Sequence, residues 1–466
     1  MEDFTKNIDR RNFMKLAGAG VAGAAISATL GGCDNSKLLQ TQTKTVPADK
    51  MTYRTDPKNG NKLSLLGFGM MRLPRVQRKR GESLPDTNDL DQEAVNELVD
   101  YAIAHGVNLF DTSPVYCKGF SEKATGEALS RHPRDKYYIA TKMSNSRPPH
   151  AKNREESIKI YHRSFEDLKV DYIDYYFVHN VGNNTALNER YIDNGMLDFM
   201  FKEKEAGRVK NIGWSFHGDG DFFEYMAGAY PWDFTMIQLN YLDWNVNMGG
   251  GGTSTNISAR RQYEILTEKE IPVWIMEPLL GGVLSMPHYK ARERMMQADS
   301  QASAASWAFR FAGGLPNVTT VLSGMMFMDH LQDNIRTYSP LTPLNDSENE
   351  MLLGDVSRIA MEYRNINCTK CQYCMPCPYG IDIPEIFSHF NRSLNEGNYP
   401  DDRQSDDYKR ARRAYLVGMD RNVSPLRQAS RCINCDLCIS ACPQRINIPR
   451  EMRRIDEFSE KLRTEV

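Results

Sequence analysis

Eight of the ten cysteines fall into two runs. The first is Cys368, Cys371, Cys374 and Cys377, closed by Pro378, and the second is Cys432, Cys435, Cys438 and Cys442, closed by Pro443. So dense a pattern dictates metal chemistry before it dictates secondary structure. Thiols this close in sequence sit in tight turns, poorly placed to pair with distant partners as disulfides. Four thiolates in each run suit an iron-sulfur cluster. Zinc on paired C-x-x-C units is the competing reading, and the Cys-Pro closure of both runs weighs against it.

The second run, C-x-x-C-x-x-C-x-x-x-C-P, resembles the spacing of bacterial two-cluster ferredoxins, where three thiolates hold one cluster and the fourth reaches across to the other. The resemblance implies two [4Fe-4S] clusters. One is expected on Cys368, Cys371, Cys374 and Cys442, the other on Cys432, Cys435, Cys438 and Cys377. The first run departs from the pattern, with two residues instead of three before Cys377. After each run the sequence repeats itself: Tyr379-Gly380-Ile381-Asp382-Ile383-Pro384 is answered by Gln444-Arg445-Ile446-Asn447-Ile448-Pro449. Helices are expected over 385–395 and 407–419. Residues 367–466 are therefore expected to form a helical dicluster ferredoxin-like domain, with few obvious core residues and a dependence on its metal for folding.

The opposite end carries an export-like pattern. Asp9-Arg10-Arg11-Asn12-Phe13-Met14-Lys15 leads into a Gly/Ala-rich apolar stretch and then Gly31-Gly32-Cys33. The stretch is shorter than the roughly 20 residues that span a bilayer, and residues 1–33 resemble a twin-arginine export signal. Leu30-Gly31-Gly32-Cys33 also resembles a lipobox, which would anchor a periplasmic protein through a lipidated Cys33. Twin-arginine export carries folded proteins, and clusters must be inserted where thiols stay reduced, so the two ends of the chain explain each other. Residues 34–60 read as a polar tether.

A formal net charge of −2 gives no electrostatic reason to expect nucleic acid. The basic run over 72–80 reads as a solvated loop. Across 61–345, short apolar runs alternate with amphipathic stretches. Strands are expected at 63–67, 107–110, 137–141, 173–178, 209–214, 236–239, 273–276 and 318–322, and eight such units suit an α/β fold of the (β/α)8 TIM-barrel type. Residues 346–366 are left as a linker. Barrel enzymes place catalytic groups where strands end. Asp111, Lys142 and His179 each directly follow an apolar run, and Tyr116 lies in the loop after Asp111. An ammonium beside a tyrosine lowers its pKa from about 10, so these four read as an acid-base set in which Asp111 holds Lys142 charged.

With Leu66-Gly67-Phe68-Gly69-Met70, the stretch from Asn108 to Tyr116, Thr141-Lys142 and Val178-His179 in this order, the chain resembles the aldo-keto reductases over residues 62–336. Together with the cysteine tail it is similar to their iron-sulfur branch. The resemblance implies interconversion of a small-molecule carbonyl and alcohol with hydride from NAD(P)(H). Tyr116 would protonate the oxygen, Lys142 and Asp111 would tune Tyr116, and His179 would orient the substrate. It also implies carboxamide contacts at Ser215 and Gln238, and nucleotide contacts at Ser323, Gly324 and Asn334. Residues 324–334 carry no Lys or Arg, so NADH is expected to bind at least as well as NADPH. Met276 stands where many relatives stack a tyrosine on the nicotinamide. His217 either lines the site or makes a structural hydrogen bond, Cys117 reads as a buried inert thiol, and Gly249 to Gly252 as a loop over the barrel mouth. The clusters either relay electrons to a redox partner protein or hold the fold. The competing function is an electron-transfer or interaction protein whose barrel no longer turns over.

Overall fold

The computed structural model describes residues 45–76, 89–146, 150, 152–245, 256–442, 444 and 446–465. The export-like segment with Arg10, Arg11 and Cys33, and the glycine run Gly249 to Gly252, lie outside the described residues.

Strands β1 (Tyr53–Thr55) and β2 (Lys62–Ser64) form an antiparallel ribbon. Residues 53–60, expected as tether, thus belong to the folded unit, which begins at Val46. Two contacts fix the ribbon to the barrel floor. The Arg54 guanidinium donates to the carbonyls of Gly313, Leu315, Pro316 and Val318, and Leu63 packs inside the barrel with Leu109, Ala140 and Trp274. The expected strand at 63–67 is accordingly split between the ribbon and the first barrel strand.

The barrel strands are β3 (Leu66–Gly69), β4 (Leu109–Asp111), β5 (Tyr138–Met143), β6 (Ile173–Val181), β7 (Val209–Phe216), β8 (Phe234–Gln238), β9 (Val273–Met276) and β10 (Val318–Ser323). They close in the order β10-β3-β4-β5-β6-β7-β8-β9, every neighbouring pair parallel. Helices shield the strands with apolar stripes. Gln92–Ala104, for example, buries Val95, Leu98, Val99 and Ala102 and is capped by the Asp91 carboxylate, a cap that contributes about 1 kcal/mol. Inside, Tyr175, Phe177, Phe234 and Trp274 pack with ring centroids 4.6 to 5.7 Å apart. Gly213 is required here, because a Cβ would meet the Phe234 ring at 2.7 Å. This aromatic layer fills the barrel and floors the site above it.

The expected linker is helical instead. Asp346–Met351 opens with a capping box between Asn345 and Glu348 and runs on through Leu352–Val356 and Ser357–Glu362. Met351, Leu352 and Val356 are buried in the barrel's own core. Beyond it, Ile383–Asn395, Tyr408–Asn422 and Ile448–Thr464 form the helical framework of the cysteine module. The sequence repeat has a physical meaning: each copy ends in a helix start with Pro384 or Pro449 in the first turn, where a missing N–H costs nothing. The module is not poor in core residues. Ile383, Ile386, Phe387, Phe390, Tyr415, Met419, Ile448, Met452 and Ile455 bury against one another, with half-buried cysteines packed on them.

Candidate functional site

Asp111 ends β4, Lys142 is the penultimate residue of β5 and His179 lies within β6, so three adjacent strands deliver three of the expected groups to one mouth. Lys142 Nζ donates to Asp111 Oδ1 and to the Thr112 carbonyl, the latter at 2.8 Å. Burial lowers the Lys142 pKa and raises that of Asp111, and the attraction between them opposes both shifts. The ammonium lies 5.0 Å from the Tyr116 ring centroid and 4.9 Å from that of Phe177. Tyr116 in turn meets the His179 ring edge-on at 6.1 Å.

The expected direction of the Tyr116 shift is reversed. Its pKa stands well above 10.0, first because the hydroxyl is buried and then because Asp111, Tyr373 and Glu277 disfavour a phenolate beside them. Lys142 spends its protons on Asp111 and Thr112. Tyr116 is therefore held protonated. His179 is held neutral, its pKa well below 6.5 through burial and the nearby Lys142, Arg190 and His217. Its Nδ1 lies 2.5 Å from Ser144 Oγ, itself 2.7 Å from Ser113 Oγ. A hydroxyl donating to Nδ1 leaves the ring proton on Nε2.

Behind Lys142, Glu122 is 2 % exposed and accepts a hydrogen bond from Thr141 Oγ1 at 2.5 Å. Burial raises its pKa from 4.5 to about 7, opposed by the hydrogen bonds from Thr141 and Ser164. Between those values the folded chain binds more protons here than the unfolded chain, so stability falls as pH rises through the window, by about 3 kcal/mol. Glu122→Gln is expected to flatten the urea midpoint between pH 4.5 and 7 relative to the native protein; an unchanged pH slope would contradict this.

The nucleotide positions divide into two groups. At the ends of β7 and β8, Ser215 Oγ accepts from the Asn180 amide at 2.9 Å, and Gln238 Nε2 donates to Asp243 at 2.7 Å. Gln238 Oε1 is buried with no hydrogen-bond partner among the described residues, an orphaned acceptor that fits a carboxamide N–H. At the end of β10, Asn334 Nδ2 donates to Ser323 Oγ at 3.0 Å and both are buried. Arg72 is not part of a solvated loop. Its side chain packs against Gly324, and its guanidinium reaches the Gly281 carbonyl at 3.4 Å. A cation therefore does stand beside the nucleotide segment, supplied by the loop after β3, where a search of 324–334 alone misses it. His217 follows β7 and lies within electrostatic reach of His179. Cys117 is buried, its thiol raised to about 11.

The eight thiols fall into two electrostatic sets. Cys374 feels Cys368, Cys371 and Cys442, whereas Cys438 feels Cys432, Cys435 and Cys377. Burial raises Cys374 to about 12 and Cys368 and Cys438 to about 11. Among the described residues no three metal-ligating side chains converge on a single ion. Four thiols in each set match the four-thiolate ligation of a [4Fe-4S] cluster. The two loops also share a backbone pattern: Lys370 and Gln372 flank Cys371 in the left-handed region, as Asn434 and Asp436 flank Cys435.

The cysteine module meets the barrel mouth from both runs. Gln444 Nε2 donates to Glu277 Oε1 at 3.3 Å. Thr369 packs so closely on Gly281 that a Cβ there would lie 2.4 Å from its methyl. Neither contact is visible in sequence, because the partners are about 90 to 170 residues apart.

The sequence model of the aldo/keto reductase family matches residues 65–353, and that of a 4Fe-4S dicluster domain matches residues 367–448. L-galactose dehydrogenase of Arabidopsis thaliana is 25% identical over 335 residues, covering 68% of this chain and 97% of its own length. D-arabinose 1-dehydrogenase of Saccharomyces cerevisiae is 34% identical over 100 residues, 20% of this chain and 29% of its own. In structure, aldo-keto reductase AKR11C1 of Bacillus halodurans superposes with a TM-score of 0.51 at 20% identity, over 65% of this chain and 95% of that one. With a closed parallel barrel presenting these four residues and a thiol-rich module behind it, the chain belongs to the aldo/keto reductase family, as an oxidoreductase that carries a 4Fe-4S dicluster domain.

Proposed function

We propose that this protein is an exported oxidoreductase interconverting the carbonyl of a polyhydroxylated, aldose-type substrate with its alcohol. The convergence of a protonated Tyr116, a neutral His179 and the Lys142–Asp111 pair at one mouth carries the reading. Two relatives are named for the dehydrogenation of sugars, which supports the substrate class. In the reducing direction Tyr116 gives its proton to the carbonyl oxygen while His179 Nε2–H holds that oxygen, and Lys142 with Asp111 supports the tyrosine from beneath. Ser215 and Gln238 would hold the carboxamide of a nicotinamide, and Ser323, Gly324, Asn334 and Arg72 its nucleotide. When bound, a nicotinamide supplies or takes the hydride, and [4Fe-4S] clusters pass single electrons.

Cys368, Cys371, Cys374 and Cys442 would hold one cluster, beside the barrel. Cys377, Cys432, Cys435 and Cys438 would hold the second, toward solvent: Cys435 is exposed, as are Ile433 and Leu437 two residues to either side of it. This apolar face supports docking of a one-electron carrier protein. The test is transfer of deuterium from C4-labelled NADH or NADPH to the carbonyl carbon of an aldose panel and of propanal, by anaerobically purified protein. No label in any product would overturn the reading.

Export is supported by Arg10-Arg11 ahead of the apolar stretch, with Cys33 the lipid anchor. Changing both arginines to lysine is expected to leave folded protein in the cytoplasm. Normal periplasmic accumulation of that double variant would exclude this route.

A further inference from the structure

The two cysteine loops share left-handed residues on either side of their second cysteine, although Leu437 opens a short helix, Leu437–Ala441, that the first loop lacks, and their corresponding side chains meet opposite fates. Thr369 and Tyr373 in the first loop occupy the places of Ile433 and Leu437 in the second, each pair one residue after the first cysteine and one before the third. Ile433 is 58% exposed and Leu437 64%. The loop fold itself therefore asks nothing specific of these positions. In the first loop they are instead turned against the barrel, and they are hydroxyls.

Thr369 is 5% exposed, and its Oγ1 is buried without a hydrogen-bond partner among the described residues. Tyr373 Oη is likewise buried, with the Cys117 backbone beside it and no well-formed hydrogen bond to another side chain among the described residues. Both lie at the site. Thr369 sits on Gly281, whose carbonyl accepts from Arg72 and beside which stands Glu277 Oε2. Tyr373 and Glu277 both act electrostatically on Tyr116. A buried hydroxyl left unsatisfied costs about 1 to 3 kcal/mol, so two of them on one wall, opposite an acid that works on a carbonyl, mark where a ligand's polar groups go.

We propose that Thr369 and Tyr373 hydrogen-bond the hydroxyl groups of the substrate, making the cluster-bearing loop 368–374 the outer wall of the active site. This rests on the aldo-keto reading of the barrel and adds a specificity wall that the barrel alone lacks. Because that wall is anchored by Cys368, Cys371 and Cys374, substrate binding and the state of that thiol set are linked, and linkage in binding is reciprocal.

The experiment uses cluster-loaded protein and the variants Tyr373→Phe and Thr369→Val, which keep shape and remove one hydroxyl each. The KM for an aldopentose is expected to rise roughly 3- to 10-fold in each, the size of one hydrogen bond, with kcat within about twofold and a smaller rise in the KM for propanal, which has no hydroxyl group to lose a bond from. Independently of turnover, adding the aldopentose to the dithionite-reduced protein is expected to shift the electron paramagnetic resonance signal of one cluster, in the native protein and in Tyr116→Phe, but not in Tyr373→Phe. Equal effects on aldopentose and propanal, or a native signal indifferent to the sugar, would overturn the proposal. Failure of the underlying reading looks different, since propanal would then not be reduced at all.

Discussion

Tyr116→Phe is expected to lower carbonyl reduction by roughly 10²- to 10⁴-fold, the usual contribution of a positioned acid, while nicotinamide affinity stays within a few-fold. The ring is kept, and with it the edge contact to His179 and the face under Lys142; Ser215 and Gln238 stand on other strands. The pH dependence is part of the expectation. Since the folded-state pKa of Tyr116 lies above 10.0, the acid form persists from pH 5 to 9, and native reduction should show no tyrosine limb in that range. If His179 took over in the variant, residual activity would rise toward acid, because the imidazole gains its proton only below 6.5. Full activity in the variant, with the native pH profile, would remove Tyr116 from the mechanism.

What the sequence disclosed follows from what a linear pattern can encode. An apolar run ended by one ionisable residue is a local signal, and Asp111, Lys142 and His179 carry it. β5 and β6 run past their apolar stretches and take in Lys142 and His179, because a barrel strand tolerates polar residues at the mouth end. The helix over 346–362 was also locally written, in the Asn345 and Glu348 capping box, but the segment lay between two recognisable domains and read as a spacer. Other features had no local signature. The Tyr116 shift depends on desolvation, which appears only once three strands and a loop from residue 373 enclose the hydroxyl. Arg72, Glu277, Thr369 and Tyr373 meet across the barrel mouth from distant parts of the chain, and each is unremarkable among its own neighbours.

Cys435→Ser and Cys371→Ser are expected to have different consequences, although each removes one thiolate from a four-thiol set. Cys435 is exposed on the outward loop, while Cys371 anchors the loop that carries Thr369 and Tyr373 to the barrel. The module has its own buried core, so neither change should unfold it outright, and thermal scans should show a transition in both variants. In Cys435→Ser, iron content should fall by about half. Single-turnover reduction of the carbonyl by added nicotinamide should survive, and oxidation of the alcohol coupled to a one-electron acceptor should drop at least about tenfold. In Cys371→Ser the same loss of iron should also raise the aldopentose KM, since the wall loses its anchor. Equal coupled turnover in native and Cys435→Ser protein, with the iron shown to be absent, would make the outer set structural. Parallel loss of both activities and of the thermal transition in either variant would show that the thiols hold the fold and that the hydrophobic core of the module does not stand without them.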